Sequence, residues 1–511
     1  MAKTYFFLLI ILLALGFCQI GAEQKDVPQN LPSPPLITSV LPTSVYLNSP
    51  PFLLYVYGEN FTGDSVILIN KLACPTTFIS EKELRCSAEM DFDAITDDTL
   101  PRLRGNFSRG GQTKKMTVVV KNPGIKSSNS MTIRLLDKGF INFTKPYPII
   151  THPSSSYFFE DIETDNQGNI YIVYEYPFPG SDVDELYLVH SSNYGKTWES
   201  PINISNTPLL YPKFLDLVVD KDGNLLLVWS ESPTPWTSGH CVYFSRSTNQ
   251  GLTWENPKQL LKDLFFCENL GILVEAGGEI DVIAYVYENN ISSIYFFRSL
   301  DKGQTWTQNQ IATVRYIISS FPLALDEKGN LHTAFDRVFT VDGGLVDYLY
   351  YSKSSDHGLT WQNSFISSTG MGTIKIAVNK LEGSVYLVWN YSNNYRPNIR
   401  ETYFCRSLTN GDSWDIPIQL NKTVYPTYTA NFDTVVDSKG NFYILVGGLN
   451  IFLLRLPAGK DTWNPPIFIG KRDIIYTPLK ITCDDQDTLY LIWNDNRSLY
   501  FSKSGRIFCI N

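Results

Sequence analysis

Apolar residues occur along this chain in short runs that are bounded by aspartate, glycine and asparagine. Residues 170–174 form one such run after the polar residues 165–169, and residues 225–229 form another after residues 220–224. Runs of about five to seven residues between turn residues are typical of antiparallel β-strands, whereas helices need longer runs with a period of 3.6 residues. The pattern therefore predicts an all-β chain.

A second pattern, Ser-x-Asp-x-Gly-x-Thr-Trp, recurs downstream of these runs. In such a phrase the Ser and Asp side chains bond the local backbone, Gly supplies a positive φ, and Trp anchors the turn in apolar packing. The phrase therefore predicts a hairpin turn, here called the Asp-box. Its copies begin at Ser191, Ser247, Ser299, Ser354 and Ser407, and a decayed copy lies at residues 459–463.

The two patterns together define a repeat unit. Seven copies of the glycine turn, spaced by roughly 47 to 58 residues, each give a strand, a turn, a strand, a variable loop, a strand, an Asp-box and a strand. This order predicts a β-propeller of four-stranded blades. We expect seven blades, with six as the alternative if one weak copy is not a blade. Residues 148–151 have the shape of the outer strands and precede the first blade. We expect them to complete the last blade and to close the ring, which leaves no sheet edge exposed.

The Asp-box repeats resemble the BNR repeats of the sialidase (neuraminidase) superfamily across residues 145–511. The resemblance implies a ligand site on the face opposite the Asp-box turns. Catalysis in that family uses three arginines, the first in an Arg-Ile-Pro phrase before the first blade, together with an Asp, a Glu and a nucleophilic Tyr. No Arg-Ile-Pro occurs here, and residues 157–161, where it would lie, contain no arginine. We expect Arg246, Arg298 and Arg406 on the Asp-box face, where they cannot clamp a substrate carboxylate.

Residues 35–137 contain no Asp-box and form a separate domain in our interpretation. Their opening phrase, residues 35–42, and their closing phrase, residues 118–136, resemble the immunoglobulin-like IPT/TIG family. The resemblance implies a small β-sandwich. Cys74 and Cys86 fit a disulfide across its sheet.

The first 22 residues have the features of a secretory signal peptide, with Lys3, an apolar run over residues 5–17 and small residues at Gly21 and Ala22. Residues 23–34 are expected to be a linker. No later apolar run has the length of a membrane span. The sequence predicts a secreted, extracellular protein without a membrane span.

Secretion bears on the cysteines and on the Asn-x-Ser/Thr sites. We expect Cys241 and Cys267 to form a second disulfide on the loop side of the propeller, closing a loop of about 25 residues. The pairing of Cys405, Cys483 and Cys509 is left open. A chain this rich in Asn, Ser and Thr has about this many glycosylation sites by chance, so the sites permit a glycoprotein without proving one. The acceptor asparagines are Asn60, Asn106, Asn142, Asn203, Asn290, Asn390, Asn421 and Asn496.

Charge and residue usage exclude several classes of partner. A net charge of −9 argues against nucleic acid as the main partner. The five histidines lack the spacing of metal ligands, and no glycine-rich phosphate loop precedes a helix. We therefore expect no cofactor and no metal, and the sequence leaves the oligomeric state open.

Candidate ligand residues lie where second strands end and in the loops beyond them. Aromatic rings beside acids and arginines suit a sugar, whose C–H faces stack while its hydroxyls bond the charged groups. The candidates are Glu175, Glu231, Trp236, Glu288, Arg315, Asp336, Arg337, Tyr395, Arg396, Arg400, Asp495 and Arg497.

These observations favour a secreted binding or adhesion protein that recognises a glycan or glycoprotein, or another protein ligand, on the loop face of the propeller, without sialidase activity. The alternative is a secreted glycoside hydrolase that acts on extracellular glycans. No residue fits the catalytic roles of the sialidases, but paired carboxylates need only converge in space. The acids available on the innermost strands are Glu160, Asp161, Asp216 and Asp433.

Overall fold

The computed structural model describes eighteen stretches of the chain. They are residues 33–46, 52–88, 115–136, 141, 143–151, 160–177, 184–205, 211–233, 240–264, 266–288, 291–314, 322–341, 344–369, 372–392, 400–423, 431–473, 478–495 and 498–505. The predicted signal peptide and most of the predicted linker lie outside the described residues.

The N-terminal domain is a sandwich of two sheets, as its sequence phrases predicted. One sheet has the order β1-β3-β7-β6 and the other has the order β2-β9-β8-β4-β5. Alternate residues such as Leu54, Val56 and Leu84 point into one shared core. The strands are β1 (Leu36–Leu41), β2 (Ser44–Tyr46), β3 (Phe52–Glu59), β4 (Val66–Ile69), β5 (Leu72–Ala73), β6 (Thr76–Ser80), β7 (Glu83–Ala88), β8 (Lys115–Lys121) and β9 (Met131–Leu136).

Asn129, in the closing phrase of this domain, extends the sheet with its side chain. Its amide nitrogen donates to the Ile37 carbonyl at 2.9 Å, and the Ile37 N–H donates to its amide oxygen at 2.7 Å. The contact lies where the register between β1 and β3 shifts. The amide therefore satisfies backbone groups of an edge strand that have no neighbouring strand at that point.

The remaining described strands form seven four-stranded sheets, which confirms the seven-blade prediction. Blades 1 to 3 are β11 (Glu160–Thr164) to β14 (Ile202–Asn203), β15 (Tyr211–Val219) to β18 (Lys258–Leu264), and β19 (Phe266–Val274) to β22 (Thr307–Val314). Their inner pairs of strands are β12 (Ile170–Pro177) and β13 (Asp184–Ser191), β16 (Leu225–Ser232) and β17 (His240–Ser247), and β20 (Ile280–Glu288) and β21 (Ile291–Ser299).

Blades 4 to 6 repeat this order. They comprise β23 (Leu323–Leu325), β24 (Leu331–Val341), β25 (Gly344–Ser354) and β26 (Gln362–Ser367); β27 (Ile374–Asn379), β28 (Ser384–Ser392), β29 (Arg400–Ser407) and β30 (Ile418–Gln419); and β31 (Asn431–Val436), β32 (Phe442–Gly447), β33 (Asn450–Leu456) and β34 (Ile467–Lys471). The single-turn helix α1 (Leu420–Thr423) follows β30 and is the one helix among the described residues.

Blade 7 closes the ring with a strand from the other end of the propeller. It contains β35 (Leu479–Cys483), β36 (Leu489–Asp495) and β37 (Ser498–Lys503), and its outer strand is β10 (Tyr147–Thr151). Tyr147 pairs with Phe501 and Thr151 pairs with Ser498 in an antiparallel ladder. The innermost strands contact one another in sequence around the ring, including β35 with β11. The prediction that residues 148–151 close the propeller is confirmed.

Second strands are buried on both faces because each blade lies between two others. All eight residues of β16 are buried, and β32 and most of β36 are buried in the same way. This explains why these strands have continuous apolar runs rather than a strict alternation of apolar and polar residues.

Each Asp-box turn packs against the preceding blade, and this packing explains the residue types of the turn. In blade 3 the Gly303 N–H donates to Ser299 Oγ at 2.8 Å, and the Thr305 N–H donates to Asp301 Oδ1 at 2.7 Å. Gly303 has φ +86°, and a Cβ there would lie 2.3 Å from the ring of Phe244 in blade 2. The box tryptophan packs edge-on against that same ring. The equivalent ring pairs are Trp198–Phe501, Trp306–Phe244, Trp361–Phe296, Trp414–Tyr351 and Trp463–Phe404.

Candidate ligand-binding site

The strand order places two kinds of connection at opposite ends of the propeller. Glycine turns and Asp-box turns lie at one end, called the box face. Connections between the second and third strands, and from each outer strand to the next blade, lie at the other end, called the loop face. The predicted ligand residues that the structure describes lie towards the loop-face ends of their strands.

Three of the predicted acidic ligand residues are buried in the blades. Glu175, Glu231 and Asp336 are each less than one tenth exposed. Glu231 accepts a hydrogen bond from the indole N–H of Trp229 at 2.8 Å. The second strands that carry these carboxylates are packed between neighbouring blades up to their loop ends, which encloses the three side chains.

The structure separates the neighbouring candidates Asp336 and Arg337. Asp336 is opposite Leu349, on the face of β24 that packs against blade 5, whereas Arg337 is opposite Tyr348, on the face towards blade 3. Arg337 is exposed, and its guanidinium carbon lies 5.0 Å from the centre of the Phe339 ring. Of this pair only Arg337 is presented to solvent.

The other predicted ligand residues are partly exposed, are described only in their backbone, or lie outside the described residues. Asp495 is partly exposed and accepts a hydrogen bond from the Asp473 N–H at 2.6 Å. Glu288 ends β20 and Arg400 begins β29, so both backbones reach the loop face. Trp236, Arg315, Tyr395, Arg396 and Arg497 lie outside the described residues.

At the centre of the ring, the inner-strand acids Asp161 and Asp433 named from the sequence meet two lysines that sequence reasoning did not include. Lys480 of blade 7 donates to Asp161 Oδ1 of blade 1 at 2.7 Å, and Lys375 of blade 5 lies 2.8 Å from Asp433 Oδ1 of blade 6. The carboxylates also bind backbone of the next blade. The Leu217 N–H donates to Asp161 Oδ2 at 2.9 Å, the Ile272 N–H to Asp216 Oδ2 at 2.8 Å, and the Ile481 N–H to Asp433 Oδ2 at 3.0 Å.

Asp161 and Asp216 form a hydrogen-bonded carboxyl pair. Burial and the charge of Asp161 raise the pKa of Asp216 well above its usual range. Burial opposes ionisation of Asp161, but the Lys480 ammonium outweighs it and holds the pKa of Asp161 below its usual value. One proton is therefore shared, with Asp216 as the donor and Asp161 as the ionised acceptor. Lys480 has a raised pKa because Asp161, Asp433 and Asp216 surround it and outweigh its burial.

This pair does not have the geometry of a glycosidase. Retaining enzymes hold their two carboxyl groups about 5–5.5 Å apart and inverting enzymes about 6.5–9.5 Å apart, to leave room for the sugar or the water. Carboxyl groups that share a hydrogen bond are about 3 Å apart. Asp161 and Asp216 are thus too close to flank a glycosidic bond. The side chain of Glu160 is outside the described part of the structure.

The described arginines that flank the Asp-boxes join blades instead of converging on the channel. Arg406 donates to the Lys460 carbonyl of blade 6 at 2.9 Å and pairs with Asp415 at 2.8 Å. Arg298 binds Glu275 and Asp281 on the box face, as expected from its position. Arg472, on the loop side, is buried and donates to the Gly448 carbonyl at 2.8 Å. None of these guanidinium groups is placed to clamp a substrate.

Cysteine pairing remains a prediction, and Cys74, Cys86, Cys405 and Cys483 are free thiols in the structure. Cys74 and Cys86 are nevertheless hydrogen-bonded to each other in the buried core of the N-terminal domain, and this bond and burial raise the pKa of Cys86. The proximity is compatible with the predicted bridge. Cys267 is buried, and Cys241 lies opposite Glu231 in β17.

The predicted glycosylation sites differ in accessibility. Asn390 is buried in β28 and accepts a hydrogen bond from Thr402 Oγ1 at 3.0 Å, so the folded chain does not present this side chain to a glycan. Asn60 is exposed, while Asn203 and Asn421 are partly exposed. Asn106, Asn142, Asn290 and Asn496 are outside the described residues.

The described residues contain neither a metal-binding cluster nor a membrane-spanning helix. Among them, no group of three or more His, Cys, Asp or Glu side chains is arranged to hold a metal ion. Within the same stretches, no helix has the length and apolar character needed to cross a membrane.

Comparison with known proteins agrees with the two sequence phrases. Residues 216–444 match the BNR repeat-like domain family, and residues 35–134 match the IPT/TIG domain family. No curated protein sequence matches the chain significantly.

Solved structures similar to the chain include three glycan-processing enzymes. The Hadza microbial sialidase Hz136 has 12% identity and a TM-score of 0.45, over 92% of this chain and 98% of that one. A PL25 ulvan lyase has 13% identity and a TM-score of 0.47, over 71% and 93%. The α-L-arabinofuranosidase Arb93A from Fusarium graminearum has 17% identity and a TM-score of 0.39, over 59% and 94%. The chain thus joins a β-sandwich that matches the IPT/TIG domain family over residues 35–134 to a seven-bladed propeller that matches the BNR repeat-like domain family over residues 216–444.

Proposed function

We propose that this chain is a secreted binding protein that recognises a glycan or protein ligand at the loop face of its propeller and does not hydrolyse glycosides. The observation that carries the proposal is that Lys480 binds Asp161 and that Asp161 and Asp216 each accept a hydrogen bond from a backbone N–H of the next blade. A hydrolase needs its two carboxyl groups apart and facing the substrate. Here both carboxyl groups are occupied by each other, by Lys480 and by backbone N–H groups of the next blade.

The missing arginine clamp supports the same conclusion. Recognition of a sugar carboxylate relies on bidentate guanidinium groups that are free to meet it. Arg298 and Arg406 are bound to carboxylates at the box face, and the buried Arg472 holds backbone carbonyls. The site where the family's first arginine would lie has none in this sequence.

Hydrolysis assays with the full chain test this proposal. We expect no turnover of fluorogenic sialosides or arabinofuranosides above a heat-inactivated control. Asp216→Asn should behave like the wild type, and Asp433→Asn is the matched control, because Asp433 also binds a lysine and a backbone N–H. Turnover that is abolished by Asp216→Asn but kept by Asp433→Asn would show that the acid pair is catalytic and would overturn the proposal.

A further inference from the structure

The second and third strands of blade 4 form a hairpin longer than those of the other blades described. β24 and β25 each have 11 residues, and they remain paired from Leu331–Ser354 up to Val341–Gly344. In blade 3 the corresponding strands have 9 residues and pair up to Glu288–Ile291. Two extra residues at about 3.3 Å each carry the blade 4 hairpin about 7 Å further out on the loop face.

One face of this hairpin carries a continuous series of aromatic rings. Phe335 and Tyr350 begin the series, within the apolar core between blades 3 and 4. Phe365 of β26 lies 6.1 Å from Tyr350 and 5.6 Å from Tyr348, and Tyr348 lies 5.3 Å from Phe339, measured between ring centres. The series thus runs from the buried core to Phe339, where the extended part of the hairpin begins.

The outer members of the series are accessible and rigidly held. Phe365 is 56% exposed, and Phe339 and Tyr348 are partly exposed. Arg337 is exposed on the same face and stacks over Phe339. The strand register places Arg337, Phe339 and Tyr348 on this side, whereas the acidic Asp336 and Asp347 point to the opposite face. We call Arg337, Phe339, Tyr348 and Phe365 the blade 4 platform.

We propose that the blade 4 platform is a carbohydrate-binding site of this protein. The inference rests on the proposed binding function and names its site and ligand class. Ring surfaces offer apolar contact to the C–H faces of a sugar, while the Tyr348 hydroxyl and the Arg337 guanidinium supply hydrogen bonds to its hydroxyl groups. Because the rings already contact one another edge-on, ligand binding would immobilise few additional side chains.

The chemistry of the platform favours a sugar over a protein surface. Its outer members are three rings and one guanidinium group, and exposed aliphatic side chains are concentrated elsewhere among the described residues, as at Leu300 and Leu359 on the box face. A sugar presents alternating C–H and hydroxyl groups, which match rings with polar tips. A protein partner would normally bury a larger apolar core surrounded by a polar rim.

Binding to a panel of immobilised neutral and acidic oligosaccharides tests the proposal, followed by titration with the tightest binder. Tyr348→Ala and Phe365→Ala should each weaken binding by about tenfold or more. Leu359→Ala is the matched control, since this side chain is 74% exposed on the same blade but at the box face. It should bind as the wild type does, and all variants should share the wild-type melting profile.

The outcomes separate this inference from the proposed function. If the wild type binds an oligosaccharide and both platform variants bind it equally well, the platform is excluded while the binding function stands. If the wild type binds no oligosaccharide, the platform proposal is overturned. Self-association that Phe365→Ala abolishes would in that case assign the surface to a second copy of the chain.

Discussion

At the scale of single residues, the glycine of each Asp-box serves two purposes that mutation can separate. Gly303 of the blade 3 Asp-box and Gly223 of the blade 2 glycine turn both have positive φ, +86° and +80°. Only at Gly303 would an added methyl group meet a neighbour, the ring of Phe244. Gly223→Ala should cost about 1 kcal/mol of unfolding free energy through backbone strain alone. Gly303→Ala should cost about 1–3 kcal/mol more, because the ring of the preceding blade must move. Chemical denaturation of both variants measures the difference, and equal losses would contradict a packing role for the Asp-box.

A second prediction at this scale concerns pH. Asp281 and Glu275 share Arg298 on the box face, at 2.9 and 2.5 Å, and His357 of blade 4 lies 3.3 Å from the same guanidinium. Burial, reinforced by Glu275 and opposed by Arg298, raises the pKa of Asp281 to about 8. The unfolded chain releases this proton near pH 4, so the folded state binds more protons between about pH 4 and 8.

The contribution of Asp281 to stability should therefore be present at low pH and be lost as the pH rises through this window. Relative to Asp281→Asn, the wild type should lose on the order of 1–3 kcal/mol of unfolding free energy between pH 5 and 8. Taking the difference between the two proteins cancels the groups that titrate alike in both. Parallel stability profiles for the two proteins would show that Asp281 titrates as an ordinary carboxyl.

At the scale of elements, the sequence predicted what depends on neighbouring residues in the chain. Turn residues and apolar runs predicted the blades, and the Pro-Ile phrase at residues 148–151 predicted the outer strand β10. The features that sequence reasoning missed depend on contacts between blades. The residues next to Glu175 and Glu231 in the sequence do not indicate that another blade covers the end of the strand. In the same way, the residues next to Asp161 do not indicate an interaction with Asp216, which is 55 residues further along the chain.

The blade 4 platform depends partly on neighbouring residues in the chain and partly on a comparison between blades. The alternation of Phe335, Arg337 and Phe339 before Asp342-Gly343 is visible in the sequence, but the sequence analysis did not use it. The extension of the hairpin beyond blade 3 becomes apparent only when the strand registers of two blades are compared. Sequence reasoning placed Arg337 at the loop face but did not include its aromatic neighbours.

At the scale of the whole molecule, the ring depends on a strand that precedes it in the chain. Deletion of residues 1–152 would remove β10 and expose the edge of β37 with its unpaired backbone groups. Deletion of residues 23–136 would remove the sandwich, which has its own core, and would leave β10 in place. We expect the first variant to melt at least about 5 °C below the second, when both are secreted and compared by calorimetry. Equal melting temperatures of the propeller would show that β10 does not stabilise the ring.

The geometry of this closure also has a mechanical consequence. Phe143 and Ser504 form an isolated bridge beyond the β10–β37 ladder, so the chain enters and leaves the closing pair at the same end. Tension between the N-terminal domain and the C-terminal end of the propeller would load this pair one contact after another, starting at the Phe143–Ser504 bridge and continuing to Tyr147–Phe501. Such unzipping requires less force than shearing all the bonds of a ladder at once. If the protein links two surfaces through its ends, the propeller is therefore built to open under load at blade 7, and the other six blades would remain folded at first.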